Sequence, residues 1–83
     1  MFEREQAIGR FEILKKQIYE LGIKAQSLVK DIHEEVESFL SDKDFTTMDF
    51  VKVETLAKEL QSLQIDYKEK AGKMEQIKST YNL

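Results

Sequence analysis

Few residues in this sequence are suited to chemistry. His33 is the one histidine, and it shares a helical face with Glu37 at four-residue spacing, beside Glu34. Such a pair can begin a metal site, but a closed site needs further ligands, and no HExxH or ExxH pattern supplies them. An exposed histidine on an acidic helix is the better reading. The absence of cysteine excludes disulfides and thiolate metal sites. There is no glycine-rich phosphate loop, and the serines have no base in sequence context. Glu34 and Glu35 are adjacent, so they point to different parts of a helix surface. Lys68, Lys70, Lys73 and Lys78 could touch phosphate, but Asp66, Glu69 and Glu75 lie among them and balance the charge. The expectation is a protein that is not an enzyme, with no cofactor, no metal and no small-molecule substrate.

What must position the remaining side chains is a pair of long helices. The chain has 83 residues, no proline, only Gly9, Gly22 and Gly72 as glycines, and 35% charged residues. One small domain, residues 1–83, is all this length allows. The first apolar stripe reads Phe11, Leu14, Ile18, Leu21, Ala25, Leu28 and Ile32, with Ala7 before it, Glu35 interrupting it and Phe39 resuming it. Its steps alternate three and four residues, which is a heptad seam. It predicts helix 1 at about residues 3–40. The stripe runs through Gly22 without a phase change, so a continuous helix is expected there, with a helix stop at Gly22 and a three-helix bundle as the alternative. A turn is expected over residues 41–46. Thr46-Thr47-Met48-Asp49 then resembles a helix start, with threonine as the cap and an acid returning the bond. Asp44 and Asp49 would favour the positive end of that helix. The second stripe reads Val53, Leu56, Leu60, Leu63, Tyr67, Met74, Ile77 and Tyr81, with Lys70 in one apolar slot. It predicts helix 2 at about residues 47–80.

The two seams fit one another. In an antiparallel pair whose residue numbers sum to 88, Phe11 meets Ile77, Leu14 meets Met74 and Leu21 meets Tyr67. Ala25 then meets Leu63, Leu28 meets Leu60, and Ile32 meets Leu56. Two places conflict: Ile18 faces Lys70, and Glu35 faces Val53. The fold class is therefore all-α, a coiled-coil-like antiparallel two-helix hairpin. Self-association is expected to complete it to a helical bundle, because so small a chain usually needs a further source of stability.

Two surfaces are left for a partner. Ile13, Tyr19, Ile23, Val29 and Ile65 fall outside the seam, with Phe2 and Ile8 near the start, and form the candidate partner interface. Phe39, Leu40, Phe45, Met48 and Phe50 crowd the turn with Val51 and form a candidate docking tip, or else a plug that closes the hairpin. Charge is uneven. Residues 31–54 hold eight acids and two bases, a balance of −6, which leaves +3 for the rest of a chain of net charge −3. No concentrated basic face is evident, so nucleic acid is disfavoured as a partner. No apolar run reaches the roughly 18–20 residues of a membrane span. No signal peptide is visible, and a cytoplasmic location is expected.

Three helical-hairpin families are similar in scale. Over about residues 32–67 the chain resembles the sporulation-type aspartyl-phosphate phosphatases in its helix, short loop and helix. Their Ser-Gln-x-Leu-Asp segment would fall on Ala57-Lys58-Glu59-Leu60-Gln61, where Leu60 alone agrees. Secreted hairpin proteins with a Trp-x-Gly turn, and type III secretion needle subunits with prolines at the turn, are similar in length; this chain has no tryptophan and no proline. No family is assigned. The expected function is that of a small helical adaptor, inhibitor or chaperone, of the kind encoded by phages and mobile elements, bound to a protein partner or to itself as a dimer or tetramer. A structural subunit of a secretion or virion assembly is the alternative, and a nucleic-acid-associated protein a weaker one.

Overall fold

In a computed structural model of the chain, residues 2–42 and 45–83 are described, with the side chains of all of these except Ser38, Ser41 and Asp42. Helix α1 spans Glu3–Asp42, a short 3-10 turn spans Phe45–Thr47, and helix α2 spans Phe50–Tyr81. The two helices pack against each other as an antiparallel hairpin, an all-α fold. α1 is unbroken through Gly22, as the uninterrupted stripe requires. No described helix is long and apolar enough to cross a membrane.

The ends of the elements follow local chemistry. Glu3 and Glu5 lie in the first turn of α1, where the helix dipole favours acids. α2 begins at Phe50, three residues later than the threonine cap implies. The cap is Asp49, whose carboxylate accepts the Lys52 backbone N–H at 2.9 Å. Thr46 and Thr47 are instead drawn into the 3-10 turn, closed by the Met48 N–H donating to Phe45 O. Aspartate is the stronger cap and carries the charge that the helix start attracts. At the other end of the connection, α1 continues to Asp42 rather than residue 40; Lys43 and Asp44 lie outside the described residues. α2 ends where Asn82 turns left-handed (φ 56°), with the Leu83 N–H donating to Lys78 O at 3.0 Å. Asparagine tolerates that conformation better than most side chains do.

The seam is formed by the predicted residues. Leu21 and Ala25 share a hollow with Leu63 and Tyr67, as the sum of 88 requires. Both conflicts in the seam are resolved by polar contacts. The Lys70 ammonium turns back one turn and pairs with Asp66 at 2.6 Å, so its charge leaves the seam while its stem stays half-buried. Glu35 reaches past Val53 to the start of α2. One of its oxygens meets the Lys52 ammonium at 3.2 Å, and the other accepts the Asp49 backbone N–H at 3.4 Å. A seam position that looked like a fault thus ties the two helices together at the tip.

The result is a rod of 64 × 15 × 14 Å with a radius of gyration of 18.6 Å. A compact chain of this length would have about 12 Å. Among the described residues only Ala7 and Leu21 are buried, and Leu21 still keeps 8% of its surface exposed. The register sets small Ala7 opposite Tyr81, whose ring can cover it.

The Glu35 contact gives a pH test. Lys52 is held above its ordinary lysine value, first by the hydrogen bond to Glu35, then by the charge of Glu35, with smaller help from Asp49 and Asp31. The folded chain therefore holds this proton more tightly than the unfolded one. The stabilisation is fully present below the ordinary lysine range and is lost as pH rises through the raised value. At one protein concentration, the native chain is expected to melt above the Lys52→Gln variant at neutral pH and low salt. The gap should narrow in strong alkali and at high salt; a gap unmoved by both would contradict the pairing.

Candidate functional site

Because the seam is a heptad, every residue beside it can be assigned to a side. Taking Phe11 and Val53 as position a, the seam is made of a and d, and the two flanks of the hairpin are lined by positions e and g of both helices. The two flanks differ sharply in composition. The g flank carries Arg10, Gln17, Lys24 and Asp31 from α1 and Lys52, Glu59, Asp66, Lys73 and Thr80 from α2. None of these described residues is apolar. The e flank carries Ile8, Lys15, Gly22, Val29 and Val36 from α1 and Phe50, Ala57, Gln64, Ala71 and Lys78 from α2. Seven of these ten are apolar or glycine.

Shared hollows confirm the assignment. Lys24, Ser27, Leu28, Glu59, Ser62 and Leu63 line one on the g side. Gly22, Ala57 and Gln64 line another on the e side, of about 600 Å³, floored by Leu21, Ala25, Leu60 and Leu63. The latter exists because Gly22, Ala25 and Ala57 are too small to fill the groove between the helices. Along the same flank, Ile8, Val29 and Phe50 have 38%, 52% and 56% of their surface exposed. Apolar residues at a, d and e, three per heptad, are the pattern of a helix packed in a bundle. Apolar residues at a and d alone suit a two-stranded coil.

The five candidate interface residues do not form one patch. Val29 lies on the e flank. Tyr19 and Ile23 border it, lining a hollow with Gly22 and Tyr67. Ile13 lies toward the opposite side, in a hollow with Arg10 and Lys73. Ile65 occupies position f, the outer face of α2. All five are exposed. Sequence reasoning gathered hydrophobes by their absence from the seam. Ala57 and Ala71 were not among them, because small residues are not conspicuous. The heptad letter carries the signal: outside the seam, e positions are apolar most often, at six of ten, whereas position f has Phe2, Ile23, Val51 and Ile65.

At the tip, Phe39 and Phe45 meet edge to face, with ring centroids 6.1 Å apart and planes at 83°. The two rings touch, yet 37% of Phe39 and 57% of Phe45 stay exposed. Met48 is half-buried beside it in sequence. Leu40 and Val51 are exposed as well, and Phe50, also exposed, belongs to the end of the e flank. His33 stands on an exposed face, and among the described residues no three His, Cys, Asp or Glu side chains gather as metal ligands would.

Comparison with protein-family models, with curated proteins and with solved structures finds no match for this chain.

The aromatic pair can be measured directly. Phe45→Ala is expected to lower stability by under about 1.5 kcal/mol, the range of an aromatic pair beyond its area. A double-mutant cycle with Phe39→Ala should show coupling between the two positions; strict additivity would show that the rings do not hold the tip.

Proposed function

We propose that this chain is a protein–protein interaction module rather than an enzyme, and that the e flank is its binding surface. The observation that carries this reading is the contrast between the flanks. A hairpin meant to stand alone in water would be polar on both sides of its seam. Here one side is polar and the other continues the seam outward with Ile8, Val29, Val36, Phe50, Ala57 and Ala71. Covering that side with further helix completes the a, d and e pattern of a bundle.

The surface supports the same reading. The chain exposes 6663 Å², whereas a compact monomer of its 9.8 kDa mass exposes about 5,200 Å². The excess of about 1,500 Å² is larger than the roughly 800 Å² that each partner contributes to a standard stable interface. A helical adaptor, inhibitor or chaperone would use such a flank to dock on helices of its target.

A photo-crosslinking residue placed in living cells at Val29, and separately at Lys24 on the g flank, tests this. Protein adducts are expected from position 29 and not from position 24. No adduct at either site, or equal adducts at both, would contradict the assignment.

A further inference from the structure

We propose that the e flank is covered by a second copy of this chain, packed face to face and antiparallel, with the two-fold axis crossing the rod at Gly22 and Gln64. This rests on the e flank being an interface at all, and it adds the occupant and its orientation.

Three observations select a second copy in this orientation. The first is area. The excess surface of about 1,500 Å² is within reach of one flank-to-flank contact with a rod of the same 64 Å length. The second is charge. The turn-side segment, residues 31–54, has a balance of −6, and the rest of the chain +3. A parallel pair would set the two acidic tips side by side. An antiparallel pair sets each acidic tip beside the basic open end of the other copy. Complementary potentials of this kind decide orientation.

The third is the fit of the flank to itself. An antiparallel two-fold stacks α1 on α1 and α2 on α2. With the axis at Gly22, the e positions of α1 pair as Ile8 with Val36, Lys15 with Val29, and Gly22 with its own copy. On α2, Ala57 pairs with Ala71, Phe50 with Lys78, and Gln64 with its own copy. Ile8 with Val36 is a bulky apolar pair, Ala57 with Ala71 a small one, and the other two pairs set Val29 and Phe50 against the stems of Lys15 and Lys78; glycine and a glutamine able to hydrogen-bond to its own copy sit on the axis. Both lysines of the flank, Lys15 and Lys78, fall in the open half and are carried toward the acidic half of the other copy.

Gly22 also gains a reason. A glycine inside a helix costs about 1 kcal/mol relative to alanine. Within the hairpin, a Cβ at Gly22 would meet nothing within 4 Å, so the fold itself does not require glycine there. A second backbone crossing at this level does. Gly9 and Gly72 are equally open but occupy position f, away from the flank, and serve as controls.

The chain has no cysteine, which makes the test clean. Single variants Gly22→Cys, Gln64→Cys, Gly9→Cys and Gly72→Cys are exposed to an added oxidant, with helix content checked by circular dichroism. Gly22→Cys and Gln64→Cys are expected to give disulfide-linked dimers at least tenfold faster than the two controls. Gln64 is exposed, so its variant should fold even if Gly22→Cys does not. Mixing Ile8→Cys with Val36→Cys should give the mixed disulfide in at least tenfold excess over either homodimer. Equal rates at all four single sites, or an Ile8 homodimer in excess, would overturn the proposal. So would a mass of one chain at every concentration tried. In that last case, adducts from position 29 to a different protein would leave the flank an interface and remove only the second copy as its occupant.

Discussion

The a/d seam between α1 and α2 is the contact on which the rest of the molecule depends. It fixes which residues are opposite one another, and it also fixes which side of each helix stays uncovered. Two helices can shield each other over only part of their circumference, so a hairpin of this length buries very little: Ala7 and Leu21 are the buried residues among those described. Every other large seam residue keeps some contact with water. Any further burial of apolar surface would come through a flank. The polar g flank cannot supply it. The e flank can.

The two charged intrusions in the seam show how the register survives faults. Lys70 opposite Ile18 and Glu35 opposite Val53 would each be unfavourable if their charges stayed in the interface. Lys70 removes its ammonium to Asp66 one turn back, using the length and flexibility of its side chain. Glu35 goes further and becomes useful. It reaches both the Lys52 ammonium and a free backbone N–H at the start of α2, where a negative charge is favoured. The tip is thus held by one cross-helix polar cluster and one aromatic pair, Phe39 with Phe45.

Much of this was legible in the residues themselves. The alternation of three- and four-residue steps marks both helices, their register and the continuity through Gly22, because periodicity is imposed by helix geometry and does not depend on the partner. The start of α2 was less legible. Thr46, Thr47 and Asp49 are all good caps, and which one serves depends on how the connection is drawn together by the Phe45–Met48 turn. The proposed binding surface was the least legible part. Ile13, Tyr19, Ile23, Val29 and Ile65 share only their exposure. Their division between opposite sides of the rod appears once seam letters are assigned on both helices. The small residues that shape the groove, Gly22, Ala57 and Ala71, carry no hydrophobic signal large enough to be noticed alone.

The central claim is that the hairpin is half of a side-by-side bundle closed through its e flank. Small-angle X-ray scattering measured across a concentration series tests it most directly, because mass and length are read together. A doubled mass with a maximum dimension still near the 64 Å of one rod is the predicted result. A mass of one chain throughout, or a doubled mass with a length approaching two rods end to end, would contradict it.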